Sequence, residues 1–202
     1  MVDGARPEER RISFRTIERA VVAAIFVILA GLVVPTVRSW SFRSEEKRAQ
    51  GDLIRIRDAV RRFMADVGTG PTRNRNGEDG AVYRLLGPGL IPEGAYFYPD
   101  EHQGFLDDHL VRNRPCGDDG PGYAGWRGPY LESLGADPWG FAYALIAYPL
   151  SREDDRDCVV VSCGRNGVMD GGYASTRDPV AVGDDLIEIV LDKAPDRRGA
   201  GR

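Results

Sequence analysis

An α+β fold is expected: one long N-terminal helix, transmembrane in its first half and amphipathic in its second, packed on a small antiparallel three-stranded sheet with long loops. Three observations predict it. Residues 20–37 carry no charge, and only Pro35 and Thr36 interrupt their apolar character. Residues 49–67 then bear an apolar stripe at steps of three and four. Three short β-prone runs lie in the C-terminal half, set between turn-forming segments.

The uncharged run comes early and sets the address of the rest. At 1.5 Å per residue it reaches roughly 27 Å as a helix, close to the ~30 Å hydrocarbon core of a bilayer. Arg6, Arg10, Arg11, Arg15 and Arg19 precede it, as in a secretory leader. A removable leader has a shorter core and a small-x-small site, however, and Val33-Val34-Pro35-Thr36-Val37 is a poor substitute. The run therefore reads as a retained single-pass anchor. Arg38, Arg43, Lys47 and Arg48 follow it, so the positive bias is slight and favours a C-terminal domain outside the cytoplasm. Residues 1–13 are polar and patternless, a disordered cytoplasmic leader. Residues 14–43 form the membrane helix, 44–192 the globular domain and 193–202 a disordered tail. Pro35 lacks an amide donor and is expected to bend or open the helix.

The second half of the helix is read as starting at Ser44, an N-cap followed by Glu45 and Glu46. Ala49, Leu53, Ile56, Val60, Phe63, Met64 and Val67 form the stripe, which Gly68 and Gly70-Pro71 end. Residues 71–129 are loop-rich, and residues 82–86 fit either a short helix or a strand. The strand runs are 141–148 (FAYALIAY), 158–162 (CVVVS) and 186–190 (LIEIV). Asp137-Pro138-Trp139-Gly140 reads as a structural turn in which Trp139 supplies buried surface. Between the last two strands lies a long glycine-rich loop, 164–185. The helix stripe is the natural cover of such a sheet.

Composition excludes some functions. A net charge of −4 argues against nucleic acid as a partner, because phosphate binding needs a basic face. Cys158 and Cys163 are an odd number of steps apart in one strand, face opposite sides and do not bond each other. Cys116 is either free or paired with one of them in an oxidising compartment. His102 and His109 sit among Glu101, Asp107, Asp108, Asp118 and Asp119. Their spacing matches no zinc template, and no nucleophile elbow or phosphate loop accompanies them. The chain reads as a non-enzyme; a membrane-anchored periplasmic enzyme using this loop is the rival from another class.

Four pieces, in order, resemble the major pseudopilin of bacterial type II secretion systems (general secretion pathway protein G), a type IV pilin-like family. The first is the N-terminus: with Phe14 as first residue after cleavage, Thr16, Ile17 and Glu18 resemble the prepilin signature, and Pro35 falls at the family's kink. The second runs from Ala49-Gln50-Gly51-Asp52-Leu53 through Asp66 to Pro71. The third is Gly128-Pro129-Tyr130-Leu131, then Asp137-Pro138-Trp139-Gly140 and Tyr143. The fourth is Ser162-Cys163-Gly164-Arg165-Asn166-Gly167 with Gly171-Gly172, then Asp184-Asp185-Leu186-Ile187. Ser13 stands where the family normally has glycine, Arg15 is an unusual charge beside the cleavage site, and Asn166 replaces a preferred aspartate.

The resemblance implies a structural subunit that polymerises into a periplasmic pseudopilus and drives protein export. Prepilin peptidase would cut after Ser13 and the Phe14 amine would be methylated. Glu18 would pair with the Phe14 amine of the next subunit, so Glu18 and Pro35 would serve assembly. A calcium ion would clamp the 164–185 loop through Asn166, Asp170, Asp184 and Asp185. Partners would be further copies of the chain, minor pseudopilins, the secretion platform and the inner membrane. A minor pilin or type IV pilus subunit is the alternative within the same family.

Overall fold

The computed structural model describes residues 14–95, 102–151, 155–173, 177 and 179–193, with backbone alone at 14–17, 20, 29–42 and 151. Helix α1 (Phe14–Val67) runs through two compact units, Met1–Ser44 and Glu45–Arg202. It is continuous, so Pro35 does not open it, and Ser44, expected to cap a new helix, lies inside it. Proline removes one intrahelical bond, and the helix runs on past that gap.

In the first unit, the described residues are helix alone. Its Val21, Val22, Ile25, Phe26, Val27 and Ile28 are all exposed, Val27 to 72%. Among the described residues no helix is long and apolar enough to cross a membrane. The run expected to do so includes residues 29–37, whose side chains lie outside the described set.

In the second unit the stripe does what its period requires. Ala49, Leu53, Ile56, Ala59, Val60 and Phe63 are fully buried, and Met64 and Val67 lean on the same core. The Phe63 ring stands edge-on to Tyr123 (4.8 Å) and Tyr130 (5.6 Å). The helix stops at Gly68, whose N–H reaches the Met64 carbonyl at 2.9 Å with φ at 82°. Glycine adopts that left-handed conformation without steric cost.

The sheet is five-stranded and mixed, not three-stranded and antiparallel. Its strands are β1 (Arg84–Leu86), β2 (Gln103–Phe105), β3 (Ala144–Ile146), β4 (Cys158–Ser162) and β5 (Leu186–Leu191), in the order β2-β1-β3-β4-β5. β1 runs parallel to β2, and the other pairings are antiparallel. The three expected strands form the β3-β4-β5 half. The added strands are three residues each, and β2 is centred on Gly104 in a polar loop. Backbone pairing without side-chain alternation leaves no periodic signal to read. β3 is shorter than the run that predicted it, because Tyr148 turns into the short helix α3 (Tyr148–Ser151). Another short helix, α2 (Leu106–Leu110), follows β2.

Both faces of the sheet are covered. Leu85, Leu145, Cys158 and Val160 pack in the core that α1 closes. Ile146, Val159, Val161 and Cys163 form a second core with Tyr173 from the long loop. Burial on both sides explains why β4 is apolar from Cys158 to Val161. Cys158 and Cys163 fall on opposite faces as their spacing demands, and all three cysteines are free.

Candidate assembly and loop-closure sites

Glu18 and Arg19 are exposed at the head of the apolar stretch 21–28. A helix carrying eight successive exposed residues of this kind calls for lipid or another helix to cover it. Ser13 lies outside the described residues. Phe14 and Pro35 are helical in backbone, and their side chains also lie outside the described set.

The globular unit is tied to α1 by hydroxyls on helix carboxylates. Tyr143 Oη donates to Asp52 (3.2 Å) and Tyr130 Oη to Asp66 (3.0 Å). Arg62 reaches the Tyr130 carbonyl at 2.9 Å. On the other flank Gln50 and Arg57 hold Glu188 of β5 at 2.6 and 2.9 Å, and Arg61 donates to the β5 carbonyls of Val190 and Ile189. Those last bonds occupy carbonyls on an edge strand that would otherwise invite pairing.

Asp137 is the hub of the turn before β3. It is buried; one carboxylate oxygen accepts the N–H groups of Trp139 (3.0 Å) and Phe141 (2.8 Å), the other the Ser162 hydroxyl (2.7 Å). Trp139, expected to supply buried surface, is only half-buried. Its indole N–H donates instead to Glu45 of α1 at 3.1 Å, where Arg165 also binds.

Among the described residues the histidines do not gather with the carboxylates around them, and Glu101 lies outside that set. His102 stacks on Tyr83 at 4.3 Å and bonds the Ala81 carbonyl through Nδ1 at 2.7 Å. His109 is buried, its Nδ1 lies 2.9 Å from the Tyr123 hydroxyl, and burial lowers its pKa to about 3. An imidazole held neutral in a core is a packing residue, not a proton shuttle.

The 164–185 loop is laced by its own side chains. Asp184 accepts the backbone N–H groups of Arg165 (2.7 Å) and Asn166 (3.0 Å) on one oxygen. Asp185 Oδ2 accepts from Asp170 N (2.9 Å), Gly171 N (3.2 Å) and the Tyr173 hydroxyl (2.7 Å). Burial raises the Asp185 carboxyl above its ordinary range. The Asn166 side chain bridges: Oδ1 accepts from Val168 N at 2.7 Å, and Nδ2 donates to Asp170 at 3.0 Å.

Comparison with known proteins adds the deciding observation. Over 141 residues the chain is 27% identical to Type II secretion system core protein G of Aeromonas hydrophila, covering 69% of this chain and 76% of that protein. It is 24% identical to the protein of the same name from Escherichia coli K12, covering 70% and 75%. The chain resembles a type II secretion pseudopilin. No family model and no solved structure matches it.

The pseudopilin resemblance brings calcium to the 164–185 loop, where the described acids Asp184 and Asp185 bond the loop's own amides and a tyrosine hydroxyl. Among the described residues no group of three or more His, Cys, Asp or Glu side chains is placed to hold a metal ion. Asn166 points an N–H donor, not an oxygen, at Asp170. Asp185 Oδ1 is the one buried oxygen of the set without a hydrogen-bond partner among the described residues. Sequence reasoning brought together Asn166, Asp170, Asp184 and Asp185, and the loop does gather them. It missed Tyr173, whose hydroxyl closes on Asp185, and it named Asp52, Asp66 and Asp137 as motif residues without the hydroxyls that bond them.

Proposed function

We propose that this chain is a structural subunit that polymerises into the periplasmic pseudopilus of a type II protein secretion system. Its likeness to two type II secretion core proteins G carries the reading. The exposed apolar helix headed by Glu18 supports it. The helix anchors the chain in the inner membrane with the globular unit in the periplasm, and holds a pool of subunits ready for assembly. Prepilin peptidase cuts after Ser13, and the new Phe14 amine is methylated. A carboxylate in the bilayer interior costs on the order of 3 kcal/mol, so Glu18 gains from a partner. The Phe14 amine of the neighbouring subunit supplies one and sets the stagger between copies. The side chains of residues 21–34 then exchange lipid for other helices, with Ala20, Ala23, Ala24, Ala30 and Gly31 allowing close approach. Pro35 serves the packing of the helix in the fibre. Minor pseudopilins and the secretion platform are the remaining partners, and the subunit performs no catalysis.

Electron microscopy of cells overproducing the chain tests this. Filaments are expected from the native chain, while Glu18→Ala inserts in the membrane but builds none. Filaments of undiminished number from Glu18→Ala overturn the role of Glu18. A native chain that never forms fibres yet joins fibres of another subunit at low stoichiometry identifies a minor pilin instead.

A further inference from the structure

The loop 164–185 poses a problem of closure. It is too long and glycine-rich to be held by an apolar core of its own, yet Cys163 and Tyr173 must stay packed beneath the sheet. A calcium ion solves such a problem by gathering six to eight oxygens around one charge. In this loop the two ends meet directly. Gly164, at φ 60°, lies so close to the Asp184 backbone that a Cβ would collide with it. The next two amides donate to the Asp184 side chain. Further along, Gly183 is packed against the Asp170 carboxylate.

The orientation of Asn166 decides what lies between the acids. The N and O of an amide are assigned from their hydrogen bonds. Val168 N can only donate, so the atom facing it at 2.7 Å must be Oδ1. Nδ2 is thereby turned toward Asp170, where its N–H meets the carboxylate at 3.0 Å. An aspartate at 166 would keep the bond to Val168 and place an oxygen against Asp170. Two carboxylates at that distance repel each other, and a cation between them relieves the repulsion without protonating either. Asparagine removes the repulsion by putting a donor in the same place. Asp170 and Asp184 are exposed, so water screens their charge; the buried Asp185 accepts two amides and a hydroxyl on Oδ2, with Oδ1 left without a partner among the described residues.

We propose that Asn166 stands in for the loop's calcium: its side-chain amide bridges residues 166 and 170, while Asp184 and Asp185 tie that segment to the far end of the loop, leaving the fold independent of the ion. This concerns folding of the loop and holds whether or not the chain forms filaments.

Thermal melts of the full chain in detergent, with excess chelator and then with excess calcium chloride, test it. The native chain is expected to melt at one temperature in both. Asn166→Asp should melt several degrees lower in chelator and recover with calcium. The exchange Asn166→Asp with Asp170→Asn restores one donor and one acceptor, so it should melt near the native chain in chelator and lose the calcium response. A native midpoint that falls in chelator overturns the proposal, as does an Asn166→Asp chain whose midpoint ignores calcium. Should Asn166→Asp fail to fold, the native melt and the double variant decide between the two outcomes on their own.

Discussion

Removing the Asp137 carboxylate is the sharpest test of how the β3 turn is held. Asp137→Ala strips the acceptor from the Ser162 hydroxyl, which is fully buried, and from two backbone amides. Leaving a buried hydroxyl unsatisfied costs about 1–3 kcal/mol. The Trp139 and Phe141 amides sit at half-buried positions where water partly replaces the acceptor, for about 1 kcal/mol each. The sum is about 4 kcal/mol, or roughly 8–16 °C in melting midpoint for a domain of this size. Asp137→Asn keeps an oxygen for the two amides and can still meet Ser162 by rotating its hydroxyl, so its loss should be the smaller by at least half. Circular-dichroism melts of the full chain in detergent read both, with Glu132→Ala, at an exposed site, as control. A midpoint for Asp137→Ala within about 2 °C of the native chain would refute the account of the turn.

Other consequences are as direct. His109 stays neutral in the folded chain down to about pH 3, whereas the unfolded chain takes up its proton near 6.5. Between those values the unfolded state binds more protons, so stability falls as pH falls, by up to about 1.4 kcal/mol per unit. Urea unfolding at a series of pH values should show that slope, and His109→Gln should flatten it; an identical slope in the variant sinks the assignment. Burial pushes the Cys163 thiol up to about 12 and raises that of Cys158 as well. Ellman's reagent at pH 8 should therefore react at once with Cys116 alone, and with the other two only after denaturation; rapid labelling of all three contradicts the packing of β4.

What the sequence made legible, and what it hid, follows from the range of the interactions involved. The α1 stripe could be read because one face of a 3.6-residue period meets one core, and Leu53, Ile56, Val60 and Phe63 are all fully buried. β4 could be read because burial on both faces forces an unbroken apolar run from Cys158 to Val161. β1 could be read only as the ambiguous run 82–86, and β2 not at all, since three residues centred on Gly104 show no side-chain alternation. Arg84 shows the same blindness from the other side: a guanidinium 1% exposed in β1 looks in sequence like any surface charge. At the turn, the eye goes to Trp139 for its size, but the buried member is its small acidic neighbour, because a carboxylate can bind three donors converging from two segments and an indole cannot. The motifs that raised the resemblance are the places where distant segments meet. Asp52 and Asp66 receive Tyr143 and Tyr130, Ser162 reaches Asp137, and Arg165 with Asn166 lie on Asp184. Residues fixed by contacts across 18 to 91 positions have no local period to betray them. A single sequence shows such residues only as a pattern to be matched, and their reasons appear when the segments are brought together.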